Sequence, residues 1–199
     1  LVGLLMLAHA AGTMRISGVL AAAPGLLGSP TVDVALALIL AGAVSKSALF
    51  PTHFWLPAAM AAPTPVSAYL HAAAMVKAGI YLVARLAPGF AGTTWWLPIT
   101  LTLGLGTMVF GGWVALRQYD LKLILAYGTV SQLGFITAVV SFGTADTAMA
   151  GLAMVMAHGL FKATLFLTVG IIDHQAGTRD IRRLSGVAGK APQLLVVAV

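Results

Sequence analysis

Residues Ala41–Pro57 read AGAVSKSALFPTHFWLP. The first of them continue an apolar run that begins before Val34, and Lys46 then appears in that run with no acid anywhere in the stretch. Pro51 follows. It has no N–H to donate, and its ring disturbs the preceding turn, so a helix entering the stretch is expected to break near Pro51 and to free the carbonyl of Ser47 beside Lys46. With Pro57, Pro63 and Pro65 downstream, the region cannot be one regular helix. Two readings stay open. In one, a helix is broken at membrane depth, which is tolerated only where protein buries the irregular backbone or water reaches it. In the other, the helix ends at Phe50 and a surface loop follows. Phe54, Trp55, Leu56, Met60 and the alanines between them are too apolar to suit water, which favours the first.

The rest of the chain sets the solvent. Its 199 residues are 60% hydrophobic and 8% charged, against about 45–50% apolar and roughly 25% charged in ordinary soluble domains. A lipid bilayer is the environment that suits this composition. The chain opens on Leu1 and stops at Val199 inside an apolar run, so a piece of a longer protein is expected. The opening run has no basic region before it and Arg15 after it, the wrong order for a secretory signal peptide. There is no cysteine, hence neither a disulfide framework nor a thiolate metal site. The formal charge of +6 is what basic membrane loops produce and is no argument for nucleic acid.

A helix crossing about 30 Å of hydrocarbon needs roughly 20 mostly apolar residues. Such stretches run from Leu1 to Thr13, Val32 to Phe50, Val66 to Leu86, Trp95 to Leu116, Leu121 to Phe142 and Thr147 to Ile172, with another starting near Ala191. The expected architecture is therefore an all-α, polytopic transmembrane helix bundle of about six to seven spans. Alternation puts the links near residue 118 and from 173 to 190 on one side, and those at 15–31, 87–94 and 143–146 on the other. Arg117, Lys122, Arg179, Arg182, Arg183 and Lys190 fall on the first side, with only Arg15 and Arg85 on the second. The first side should be cytoplasmic. Trp95 and Trp96 would then belong to an outer aromatic belt, and Trp113 and Tyr119 to an inner one.

Three lysines remain inside spans, Lys46, Lys77 and Lys162, accompanied by His71 and His158. A lysine at mid-span costs about 2.5–3.5 kcal/mol on insertion scales, so these should face protein or water. Snorkelling to an interface is the plain alternative for each lysine, and a hydrogen-bonded structural role the plain alternative for each histidine. All five acids, Asp33, Asp120, Asp146, Asp173 and Asp180, lie in links or at span ends. A counter-ion must come from elsewhere, or the lysines are neutral part of the time. Desolvation disfavours a charged amine and a nearby carboxylate restores it, so a lysine between the two influences can release and recover a proton. His158 and Lys162, four apart in HGLFK, share one helix face. The 22 glycines lie in apolar runs, where they let helices approach, and form no phosphate loop. The histidine spacing makes no metal site, and no cofactor is implied.

The stretch from Ser45 to Leu86, SKSALFPTHFWLPAAMAAPTPVSAYLHAAAMVKAGIYLVARL, resembles the central signature of the antiporter-like subunits shared by respiratory complex I and Mrp-type cation/proton antiporters. DLKLILAYGTVSQLGF (Asp120 to Phe135) and HGLFKATLF (His158 to Phe166) resemble the next two signatures. Within the family, MVKAGIYL with Lys77 is most similar to the large A-type subunits of Mrp antiporters. The resemblance implies a proton path along the middle of the bilayer: Lys46 on a broken helix paired with an upstream glutamate, His71 linking two half-channels, Lys162 at the centre and His158 its companion. It also implies Na+/H+ exchange, partner subunits of a hetero-oligomeric complex and a place in the plasma membrane. One departure is Met154, where complex I relatives often carry a second histidine. Two rivals remain: a proton-pumping subunit of a redox enzyme such as complex I or a membrane hydrogenase, and a structural scaffold whose lysines dock acidic partner helices.

Overall fold

A computed structural model of the chain describes residues 1–70 and 75–194, so His71 and most of the last expected span lie outside the described residues. The described residues are helical and contain no strand, only an isolated bridge between Asp120 and Asp180. In chain order the helices are α1 (Val2–Ala11), α2 (Ile16–Leu26), α3 (Pro30–Lys46), the short α4 (Trp55–Ala58) and α5 (Thr64–Ala68), then α6 (Lys77–Phe90), α7 (Trp96–Ala115), α8 (Leu121–Val140), α9 (Ala145–Ala176) and α10 (Val187–Lys190).

Among them α7, α8 and α9 are long and apolar enough to cross a bilayer, and α1 with α2, bent by 70°, add a fourth if counted as one span. Two expectations shift. The link at 15–31 contains α2, whose Val19 and Ala23 are buried, because its small residues let it lie against α6 at Gly89. Of the span expected from Val66 to Leu86, the described residues form α5 at its start and α6 from Lys77, which runs on to Phe90. Local chemistry sets the boundaries elsewhere. The Asp120 side chain caps α8 by accepting from the N–H groups of Lys122 (2.8 Å) and Leu123 (3.3 Å), as an N-cap acid should. Thr144 and Thr147 form a reciprocal capping box on α9, and Gly177, at φ 65°, ends it in the left-handed conformation that glycine adopts without penalty.

The two ends of the bundle are tied separately. At one, the Trp95 indole donates to Asp33 (3.0 Å) and the Trp96 indole to the Ser141 carbonyl (3.0 Å). Trp96 is thus fully buried rather than part of a lipid-facing belt, because its N–H finds its acceptor inside the fold. At the other, Leu121 donates its N–H to the Arg179 carbonyl and Ile181 to that of Tyr119, both at 3.0 Å. Arg179 pairs there with Asp120 (3.2 Å) and reaches Asp173 (4.0 Å). In the following turn Arg182 binds Asp180 at 2.7 Å and holds its carboxyl down at about 2.

The proline-rich stretch breaks earlier than Pro51 alone would require. α3 stops at Lys46, and Ala48 takes a left-handed φ of 50°. The Leu49 N–H donates to the Val44 carbonyl (3.0 Å) and the Ala48 N–H to that of Ser45 (3.3 Å). This is a Schellman stop with alanine where glycine is usual. The carbonyls of Val44 and Ser45, rather than that of Ser47, receive the new donors: the Thr52 hydroxyl (3.3 Å) and the Trp55 indole (3.0 Å). The Phe50 N–H donates to Thr107 of α7 (3.0 Å), and His53 stacks on Phe50 and meets Phe110 edge to face, with ring centroids 5.8 and 4.7 Å away.

Helices α7 and α8 meet backbone to backbone. A Cβ on Gly134 would stand 2.6 Å from the Met108 nitrogen, and one on Gly104 2.9 Å from the Gly134 carbonyl, so glycines at these sites permit the close approach common between membrane helices. Replacing Gly134 with valine should force the pair apart and cost about 1–3 kcal/mol. A lowered unfolding temperature of the detergent-purified full-length protein is the expected readout, and an unchanged one would contradict this packing.

Candidate functional site

The candidate polar groups stand inside the apolar stretches that carry them. Lys46 is 13 residues from Asp33 at the Trp95 end, and Lys77 is 13 from Phe90, or about 20 Å each at 1.5 Å per residue. Along α9, His158 is 12 residues from Asp146 and Lys162 is 11 from Asp173, or about 18 Å and 16 Å from the respective ends.

One buried stripe of α9 carries the chemistry. Gly151, His158, Lys162, Phe166 and Val169 face inward, while Met149, Met156 and Leu160 stand exposed. Lys162 is 5% exposed and its Nζ donates to the Leu125 carbonyl of α8 at 3.0 Å. Thr129 donates its hydroxyl to the same oxygen at 2.8 Å. Gly128 makes room: a Cβ there would sit 3.3 Å from Lys162 Nζ. His158 is fully buried against Phe161, with centroids 5.3 Å apart. Neither of its ring nitrogens has a hydrogen-bond partner among the described residues, which is uncommon for buried polar atoms.

The other two described positions differ from each other. Lys77 opens α6 and is 7% exposed, so it stands at the positive end of that helix's dipole. Lys46 closes α3 at the negative end of its dipole, on an exposed face. The two helix ends are packed together. Gly79 lets α6 approach the Ala43 carbonyl, and the Ile80 N–H donates to the Ser47 hydroxyl at 3.1 Å. Thus α9 places His158 and Lys162 on one buried face and α6 buries Lys77 at its start, while Lys46 is exposed among the described residues. No group of three or more His, Cys, Asp or Glu side chains that could hold a metal occurs among the described residues.

Lys122 is the residue that charge counting misplaced. Assigned to a link, it is 2% exposed and its Nζ donates to the Ala62 carbonyl at 2.9 Å. It thereby pins the end of the proline-rich stretch to the first turn of α8. A cation in the first turn of a helix opposes the helix dipole, and that oddity was the sequence signal that something else holds it. It lines a cavity of about 790 Å3 with Ala61–Pro65 of the broken stretch and Gly170, Asp173, His174 and Arg179 beyond.

Buried amines on a helical, bilayer-suited scaffold define the class: a polytopic membrane protein with ionisable groups buried among its helices. The chain belongs to the NADH:quinone oxidoreductase/Mrp antiporter transmembrane family, whose model matches residues 1–199. It is 50% identical over 186 residues to the A/B subunit of a probable K(+)/H(+) antiporter from Rhizobium meliloti, covering 94% of this chain and 19% of the relative. It is 47% identical over 202 residues to the A-type subunit of the Na(+)/H(+) antiporter from Alkalihalophilus pseudofirmus, covering 94% and 25%. The chain therefore spans only about a fifth to a quarter of the length of these relatives. Among solved structures it is similar to the Mrp complex from Dietzia sp. DQ12-45-1b, with TM-score 0.83 and 44% identity over 89% of this chain and 20% of that one. It also resembles respiratory complex I from Thermus thermophilus with bound NADH, with TM-score 0.85 and 28% identity over 98% and 43%.

Replacing Lys122 with methionine keeps the length and removes the donor, leaving the Ala62 carbonyl unmet at a cost of about 1–3 kcal/mol. The unfolding temperature of the full-length protein should fall, and a wild-type value would show that this bond does not hold the stretch.

Proposed function

We propose that residues 1–199 form part of the proton-conducting membrane domain of a large, A-type subunit of a cation/proton antiporter. Protons move between Lys46, His71, Lys77, His158 and Lys162 through bound water. The observation that carries the reading is the buried face of α9, where Lys162 donates to a backbone carbonyl and His158, one turn away, has neither ring nitrogen bonded among the described residues. Lys162 is met by the dipole of a backbone carbonyl, so the arrival of a charged neighbour changes its proton affinity. The ring nitrogens of His158 are where a water would bond to link it to Lys162 one turn away. Na+ is the exchanged cation in this reading, and other subunits of a hetero-oligomeric complex are the partners.

The same reading covers topology. α3 followed by the broken stretch to Ala62 makes one crossing, and α5 with α6 the return, which restores a count of about six to seven spans. The links near 118 and at 173–190 face the cytoplasm of a plasma membrane, where their basic residues belong.

The redox-driven alternative is kept because of one observation: shape does not separate the two classes, since complex I matches with a TM-score as high as that of the Mrp complex. Sequence does, at 44% identity against 28%. The chain therefore serves a secondary transporter and is not an enzyme.

The test uses the full-length protein in its complex, in inside-out vesicles. Adding Na+ without any electron donor should move protons in the wild type. Lys162→Met should abolish that movement while the complex assembles at wild-type level. Loss of assembly would instead support the scaffold, and a response only to an electron donor the redox enzyme.

A further inference from the structure

The cavity beside Lys122 does not reach the buried amines, and what stands between is ordered in tiers. Four segments line the cavity: Ala61 from the broken stretch, Thr64 from α5, Lys122 from α8 and Gly170 from α9. Gly170 and Thr64 are level with each other, since a Cβ on Gly170 would lie 2.9 Å from the Thr64 methyl. One step deeper, the same four segments supply Met60, Ala68, Ala126 and Phe166. These form an apolar cluster of their own, apart from the main core, with Ala126 and Phe166 fully buried and Leu123 and Leu125 packed against it. On the three helices the step is four residues, one turn, or about 6 Å. One further turn along α9 stands Lys162. Its acceptor, the Leu125 carbonyl, points toward the C-terminus of α8, as helix carbonyls do, and so away from the cavity and onto the far side of the cluster.

We infer that Met60, Ala68, Ala126 and Phe166 are a hydrophobic plug separating the polar cavity from Lys162, with Phe166 as its gating residue. The inference rests on the proton-relay reading above. An apolar constriction of this kind blocks conduction by excluding water and needs no closed steric seal. It would stop protons from passing between the cavity and the relay except when the plug is wetted, which is what coupled exchange demands: an always-wet path would let protons run down their gradient with no cation moving. Phe166 dominates the plug because among the described residues it is the one aromatic in it, beside one methionine and two alanines. It also lies on the same face as His158 and Lys162, at four-residue spacing. A sealed apolar cavity left by trimming it would stay dry. This one would open to a polar cavity on one side and an ammonium on the other, both of which bind water.

The complete complex, reconstituted in proteoliposomes with an imposed pH gradient and no exchangeable cation, reports the leak directly. Wild type should hold the gradient. Phe166→Ala should dissipate it several-fold faster, and adding Lys162→Met should return the leak to the wild-type rate. If Phe166→Ala leaks and the double variant leaks equally, the plug stands and the relay through Lys162 fails. If Phe166→Ala assembles and holds the gradient as wild type does, the plug is overturned. Should that variant not assemble, Phe166→Leu and Met60→Ala thin the plug more gently, and an unchanged leak in either assembled variant overturns it equally.

Discussion

Lys162 donates to the carbonyl of Leu125, 37 positions away in the chain, and much of the arrangement follows from that contact. An ammonium removed from water must find oxygen, since an isolated buried charge is far costlier than an unmade neutral hydrogen bond. In α8 the oxygen is a helix carbonyl with a second lone pair to offer, already approached by the Thr129 hydroxyl. Reaching it requires that no side chain cover it, and Gly128 provides that opening. The contact fixes the rotation of α9 against α8. Once Lys162 faces inward, His158 and Phe166, four residues to either side, face inward too.

A second ammonium–carbonyl pair, Lys122 with Ala62, acts at the end of the bundle where Arg179 bridges Asp120 and Asp173. Both lysines bind backbone rather than carboxylate, and the three ion pairs among the described residues all lie at that same end. The result is a gradient of polarity. Compensated charge and a cavity lie at the end, an apolar layer next, and Lys162 on its backbone carbonyl deeper still. The helix stop at Ala48 belongs to the same logic. Its carbonyls are met by a turn, a hydroxyl and an indole, so the irregular backbone carries its own hydrogen-bond partners, as it must where water is scarce.

The chain resembles both an antiporter complex and complex I in shape, with TM-scores of 0.83 and 0.85. The fold supplies buried amines on packed helices, and a fold shared by both classes does not by itself separate them, whereas sequence identity differs, at 44% against 28%.

The sequence by itself determined the apolar helices, the presence of amines too costly to face lipid, and the shared face of His158 and Lys162, because each follows from composition or from spacing along one helix. It also showed that the stretch after Lys46 could not stay helical. Tertiary structure decided where that helix stops, since the left-handed turn at Ala48 is held by burial and by Thr52 and Trp55 rather than by Pro51 alone. It decided that Trp96 points into the fold and not to lipid, that Lys122 is buried, and that Lys46 faces outward. The physical reason is reach. A lysine or tryptophan side chain selects its acceptor from whatever helix packs beside it, and those acceptors lie 37, 45 and 60 residues away along the chain, where no local pattern can register them.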